Sequence, residues 1–416
     1  MRLDKKIIIL TALATGLIGC SGSGSTGDRC GDDRYYNPQT NSCEWFADED
    51  SVEEETVVDN EPAEINENIE ELVEEPTPQF QCGRHHQDDL FNLAVHMSSL
   101  STNGRGLIAV SGYGGAPSGE DHYSWLGTID TNDDNKVSEN LFVIDDEVKL
   151  IAPTSDGGWL FTGVNEISGE SFVYFTENGK RHTFDRGMEN RLFLDAILDS
   201  RGDNVIVGMT ENDSDVRMMK FNSVGDITLI KVIDEQDLSL GVSRGYSIKE
   251  YDNGYLICSQ GNMDWPMLFK TDYQGNVEWI SNVRERIYGD DYEGCKVELD
   301  DQNNIYLLYL PHYQDSDDKM AVMGINAQGD ERWRIGFTNS YYDDTAPADN
   351  AIMIAGANRD EHEWYTKVSS SGDVVFEMES EKYDVDAIVR VNGGYVLNNG
   401  TSWITFIDDQ GRDDCK

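Results

Sequence analysis

Residues 245–283 read GYSIKEYDNGYLICSQGNMDWPMLFKTDYQGNVEWISNV. Four short runs, at 246–250, 255–259, 267–271 and 277–281, alternate apolar and polar side chains, the two-residue period of a strand with one buried face. Turn formers separate them. Asp252-Asn253-Gly254 stands before the second run and Tyr273-Gln274-Gly275-Asn276 before the fourth, and both suit tight hairpins in which glycine takes a positive φ. The stretch predicts one four-stranded antiparallel sheet, and a lone sheet of that size cannot bury both faces.

The same grammar recurs along the chain. The turn before each fourth strand falls at Asn135, Gly179, Gly225, Gly275, Gly329, Gly372 and Gly411, at intervals of 39 to 54 residues. First-hairpin turns lie between them at 155–158, 200–203, 301–304 and 391–394. Seven such units predict an all-β chain folded as a seven-bladed β-propeller of four-stranded antiparallel blades over residues 79–416. A set of β-sandwiches would not need one repeated turn pattern at so short a period. After Gly411 too little chain remains for a fourth strand, so the segment at 79–89 is expected to complete the seventh sheet.

Cysteine usage fits an exported chain. Cys30 and Cys43 flank a loop of turn formers, and a disulfide making a small knob of residues 30–43 is the default reading. Cys82 and Cys415 are expected to join the two ends of the ring, closing a long loop whose chain entropy contributes on the order of 5 kcal/mol. Cys258 and Cys295, on adjacent units, are expected to bridge neighbouring blades. Of the seven cysteines, Cys20 is left over.

With 38% hydrophobic and 10% aromatic residues, the 416-residue chain holds enough apolar surface for a large core. Its formal charge of −47, from 32 basic and 79 acidic residues, argues against nucleic acid and acidic lipid headgroups as partners, because both require clustered Lys and Arg. Residues 44–78 carry 15 Asp and Glu and no Lys or Arg, punctuated by proline, and read as an extended, disordered acidic linker.

At the N-terminus Arg2, Lys5 and Lys6 precede an apolar run at 7–18. The run falls short of the roughly 20 residues a spanning helix needs and has the layout of a secretory signal over residues 1–19. It ends in Leu17-Ile18-Gly19-Cys20, which resembles the lipobox of bacterial lipoproteins. The resemblance implies cleavage before Cys20, diacylation of its sulfur and acylation of the new amino group with chains such as palmitate. More than one acyl chain anchors a protein stably. Ser21 stands where that family's inner-membrane retention signal has Asp, which implies an outer-membrane destination in the cell envelope. Residues 20–29 then form a Gly/Ser tether, whose Gly-x-Gly-x-x-Gly letters lack the strand and helix a dinucleotide site requires.

A second resemblance lies in the repeats. Asp252-Asn253-Gly254-Tyr255-Leu256-Ile257 and Asn392-Gly393-Gly394-Tyr395-Val396, with the turns Gln274-Gly275-Asn276-Val277-Glu278-Trp279 and Gln328-Gly329-Asp330-Glu331-Arg332-Trp333, resemble the repeats of bacterial secreted propeller lipoproteins over about residues 90–411. The Gly-x-x-x-Trp ending is similar, more weakly, to quinoprotein-type repeats, including those of the lipoprotein that assists outer-membrane β-barrel assembly. Only Trp279 and Trp333 fill the tryptophan position and the unit count differs, so this resemblance specifies blades and transfers no catalytic residue.

Functional side chains are sought in the long connections, which fall between second and third strands or between units and share one face of a propeller. The expected ligand face presents Tyr113, Tyr123, Trp265, Tyr292, Tyr313, Tyr341 and Trp364, with acids including Asp343 and Asp344. Aromatic rings beside carboxylates suit a carbohydrate, a peptide or a cationic surface. Asp130, Asn132 and Asp134 space oxygen ligands as a Ca²⁺ loop does, yet Gly is missing at the sixth position and an acid at the twelfth, which favours an elaborated turn; no other cofactor is expected. Gly241-Val242-Ser243-Arg244-Gly245 spells an esterase nucleophile pattern without the strand-to-helix elbow that chemistry needs. His85 and His86, adjacent in a strand, would point to opposite faces. The resulting expectation is a lipid-anchored envelope propeller that binds an envelope protein or a carbohydrate through its loop-rich face, without catalysis of its own. The alternatives are a carbohydrate-active enzyme, with two carboxyl groups about 5–10 Å apart in the funnel, and an outer-membrane assembly scaffold.

Overall fold

The computed structural model describes residues 34–37, 42–45, 83–86 and 96–413, less 105, 116–121, 132–135, 145–146, 165–169, 178, 185–192, 211–214, 239–241, 262–265, 282, 284–293, 311–319, 339, 359, 361, 384 and 399–402. The chain divides into two compact units, residues 1–72 and 73–416. In the first, Arg34–Asn37 pairs antiparallel with Ser42–Trp45, placing Tyr36 opposite Cys43. The signal segment, Cys20 and the pairs Cys30–Cys43 and Cys82–Cys415 involve residues outside the described set.

The second unit holds seven four-stranded antiparallel sheets. Their first strands are His96–Thr102, Glu147–Pro153, Phe193–Leu198, Val242–Tyr251, Cys295–Leu299, Ser340–Ala348 and Ala387–Val391, and each contacts the first strand of the next blade, the last returning to the first. Six blades pair their strands in sequence order. In the seventh, Gly83–His86 supplies the fourth strand, with His85 opposite Ile404 and His86 opposite Trp403. The ring thus closes with an N-terminal strand, as the shortage of residues after Gly411 predicts. The seam is sealed by a shared core of Leu100, Ile108 and Val110 from blade one with Val389, Val396 and Phe406 from blade seven.

Burial follows position in the blade. Second strands lie between two blades and are buried along their whole length, as in Trp159–Val164, Asn204–Met209, Gly254–Gly261 and Ile305–Tyr309. They therefore read as near-continuous apolar runs. Fourth strands, at the rim, alternate exposed and covered residues, as in Glu331–Phe337.

The fourth-strand turns share one hydrogen-bond scheme. Asp272 Oδ1 accepts from the backbone N–H groups of Gln274 (2.8 Å) and Asn276 (2.9 Å). Asn326 does the same for Gln328 and Asp330, and Asp408 for Gln410 and Arg412. A short polar side chain thus satisfies two turn donors that no strand can reach. The glycine that follows adopts positive φ, 79° at Gly275 and 87° at Gly372. Packing explains the Gly-x-x-x-Trp pattern. The Trp333 ring of blade five lies under the turn of blade six, where a Cβ on Gly372 would meet it at 2.7 Å, and its Nε1 donates to Ser370 O at 2.8 Å. Trp279 stands in the same relation to Gly329. The tryptophan of one blade and the glycine of the next are one contact.

The first hairpin of blade four departs from expectation in an informative way. Positive φ is taken by Asp252 (42°) and Asn253 (63°), not by Gly254. This is the pattern of a two-residue type I′ turn. Gly254 is needed for space instead, because a Cβ there would lie 1.8 Å from Thr271 O of the adjoining strand.

The bridge between Cys258 and Cys295 is formed, with Cα atoms 6.1 Å apart, and ties the second strand of blade four to the first strand of blade five. Gly254→Ala is expected to destabilise the propeller by at least about 2 kcal/mol, through overpacking against backbone. Asn253→Gly, which leaves the positive φ unstrained, is expected to change stability by less than about 1 kcal/mol. Urea unfolding of the two variants checks both values.

Candidate ligand-binding site at the propeller axis

Strand order fixes which face can work. Each first strand begins where the chain crosses from one blade to the next, and second strands return to that same end before connecting to the third. All crossings and all second-to-third connections therefore open on one face, while the tight Asx and type I′ turns occupy the other. Residues 185–192, 284–293 and 311–319 belong to these connections.

Along the axis lies a cavity of about 280 Å³ lined by the first strands of all seven blades. Its walls include Leu100, Ile151 and Leu194, and its charged groups are Lys149, Asp195, Lys296, Asp343, Asp344 and Asp386. Local backbone irregularity brings several of them there. The first strands of blades two, three, four and six each carry a register shift, spanning Val148/Leu150, Phe193/Asp195, Gly245/Ser247 and Tyr342/Asp344. The residues inside those shifts, Lys149, Leu194, Tyr246 and Asp343, all line the cavity. A bulge re-aims a side chain that regular alternation would send between blades.

Around the cavity, polar side chains bridge one innermost strand to the next. Asp195 of blade three accepts from Ala196 N–H (2.8 Å) on its own strand, and from Ser247 Oγ (3.0 Å) and Ile248 N–H (2.9 Å) on blade four. Asp344 of blade six accepts from Thr345 N–H (2.8 Å) and from Ile388 N–H (2.9 Å) on blade seven. Lys249 Nζ of blade four lies 3.0 Å from Glu298 Oε2 of blade five, which also accepts from Thr345 Oγ1 of blade six at 3.0 Å. Lys296 of blade five pairs with Asp344 of blade six. A continuous girdle therefore joins blades three to seven. Burial pushes the Lys296 ammonium down, but Asp344 and Asp195 outweigh it and hold its pKa above the ordinary lysine value. Burial likewise opposes the charge on Lys249, where Glu298 and Asp195 raise the pKa on balance.

The predicted site residues divide. Asp343 and Asp344 line the cavity. Tyr341 is the second residue of the first strand of blade six and is exposed. Trp364 is corrected: it is fully buried, packs edge-on against Phe337 with ring centroids 5.4 Å apart, and donates from Nε1 to Glu377. It is a core residue because it falls in the third strand of its blade, not in the loop before it. The side chains of Tyr113, Tyr123, Trp265, Tyr292 and Tyr313 lie outside the described residues, as do Asn132 and Asp134. Asp130 ends a third strand, on the tight-turn face away from the cavity. Among the described residues no group of three potential metal ligands occurs. Ser243 sits within the strand Val242–Tyr251, without an elbow.

Lys149, Asp195, Tyr246, Lys296 and Asp386 are cavity residues that loop-centred reasoning misses. Their signal is a charged or bulky polar residue interrupting the apolar start of a first strand, as in Leu194-Asp195-Ala196-Ile197 and Asp386-Ala387-Ile388-Val389.

No family model matches the chain, and no curated protein matches it. Solved structures are similar. A Bacteroides caccae protein of unknown function is 12% identical with a TM-score of 0.43, over 72% of this chain and 99% of that one. The Dos1 propeller is 6% identical with a TM-score of 0.48, over 78% and 95%. An acylaminoacyl peptidase of Pyrococcus horikoshii is 8% identical with a TM-score of 0.49, over 80% of this chain and 54% of that one. These are likenesses of fold, and the blade assignment rests on the strand pairing itself.

Removing one partner of a poorly hydrated pair leaves the other charge uncompensated. Asp344→Asn is therefore expected to lower stability by about 3 kcal/mol, and combining it with Lys296→Met to recover part of that loss. Denaturant unfolding of the two single variants and the double variant measures the coupling, and additive losses would contradict it.

Proposed function

We propose that this protein is an exported, lipid-anchored cell-envelope propeller that serves as a binding module through its crossing face and axial cavity. The observation that carries the reading is the axial cavity, lined by the first strands of all seven blades. A ring of seven sheets frames it. Two of the cavity's carboxylates, Asp195 and Asp344, each accept backbone donors from two blades. They serve as framework, a use that suits a binding site better than an acid and base pair. The anchor is supported by Leu17-Ile18-Gly19-Cys20 after a short apolar run, and by the Gly/Ser tether and acidic linker between Cys20 and the propeller. Like charges favour an extended form of such a linker.

Cys20 is the decisive residue. Expressed in a two-membrane bacterium fed labelled palmitate, the protein is expected to take up label and to sediment with membranes. The Cys20→Ala form is expected to do neither while retaining the thermal unfolding of the parent propeller. Equal labelling of the two forms, or an unlabelled parent, would contradict the anchor.

A further inference from the structure

The bridge between Cys258 and Cys295 has two unlike ends. Both residues belong to the apolar cluster that holds Leu256, Leu268, Val297 and Leu307. Cys258, on a second strand, exposes 0% of its surface, whereas Cys295 keeps 4% exposed. Cys295 also lines the axial cavity, whose wall does not include Cys258. One half of the bridge therefore borders the cavity and the other is enclosed by the core. The strand that Cys295 opens continues with Lys296, which pairs with Asp344 of blade six. Two residues further on, Glu298 meets Lys249 of blade four and Thr345 of blade six. The bridge thus fixes the start of the strand through which the girdle passes from blade four to blade six.

We propose that Cys295 is a thiol-exchange site, at which a low-molecular-weight thiol entering the axial cavity opens the bridge and stays attached as a mixed disulfide. The thiolate of the small molecule attacks Cys295 Sγ and forms a new S–S bond. The bond to Cys258 breaks, its electron pair leaves on Cys258 Sγ, and that sulfur takes up the proton the small thiol gave up. One thiol and one disulfide are consumed and one of each is formed, so no further oxidant or reductant is needed. Access sets the direction. Attack on Cys258 needs a path through the core, whereas attack on Cys295 starts from the cavity. Apolar surroundings then keep Cys258 as the neutral thiol, a poor nucleophile for closing the bridge again, so the adduct persists. The cavity, at 280 Å³, is several times the roughly 30 Å³ share of one water molecule, and takes a thiol of a few carbon atoms but not a protein thiol.

The test exposes the full chain, natively folded, to 2-mercaptoethanol, and in parallel to an alkyl thiol carried on dextran and too bulky to enter the cavity. Samples are quenched in acid at intervals, free thiols are alkylated in denaturant, and the peptides holding Cys258 and Cys295 are read by mass spectrometry. With 2-mercaptoethanol the first product is expected to carry the adduct on Cys295 and the alkyl group on Cys258, in protein whose circular dichroism is unchanged. With the dextran thiol both marks are expected to be lost. A first adduct on Cys258, equal rates with the two thiols, or a bridge that stays closed until the protein unfolds would overturn the proposal. Each of those results would leave the anchor reading standing, because acylation of Cys20 is measured independently.

Discussion

A propeller stands or falls on how its innermost strands meet. Each first strand has one edge paired to its own second strand and one edge turned towards the axis, where no further strand arrives. Backbone N–H groups on that edge must still be satisfied once buried. In this chain carboxylates answer for two of them across a blade boundary. Asp195 takes the Ile248 amide and Asp344 the Ile388 amide, both at 2.9 Å. Lys249, Glu298, Lys296 and Thr345 extend these contacts into a girdle. Blade geometry, cavity shape and cavity charge all depend on it, because Asp195, Lys296 and Asp344 both bridge blades and line the cavity.

The blades were legible because their grammar is local. A polar residue followed three positions on by glycine specifies the outer turn whatever surrounds it, and the apolar second strands follow from burial on both faces. Closure by Gly83–His86 could also be inferred, from a simple shortage of residues after Gly411. The bridge between Cys258 and Cys295 followed from their places on adjacent units. What escaped were details set by neighbouring chains. Gly254 looked like a positive-φ residue and is instead a spacer beneath Thr271 O. Trp364 looked like a loop aromatic and is buried beside Phe337, since strand bounds shift by a residue or two with tertiary packing. The cavity itself was nearly invisible in sequence. It is assembled one or two residues at a time from seven separate strands, and bulges at Lys149, Leu194, Tyr246 and Asp343 break the alternation by which inward-facing residues would be counted.

Ring closure and the cavity wall share material here. The same short segment, Tyr342-Asp343-Asp344-Thr345, gives three residues to the cavity wall, of which Tyr342 is also buried in the core, and two, Asp344 and Thr345, to the girdle. A cavity wall built this way is held by the same contacts that close the ring. It also restricts variation, because a change at the mouth sits next to a residue on which a neighbouring blade depends.

Native-state hydrogen exchange at the amides of Ile248 and Ile388 tests the girdle most directly. These two donors face away from their own sheets and are met only by carboxylates of the preceding blade. The account predicts protection equal to that of central-strand amides such as Ile257, lost selectively at Ile248 in Asp195→Asn and at Ile388 in Asp344→Asn. Exchange of both amides at loop-like rates in the parent protein would contradict the claim that carboxylate bridges hold the innermost strands together.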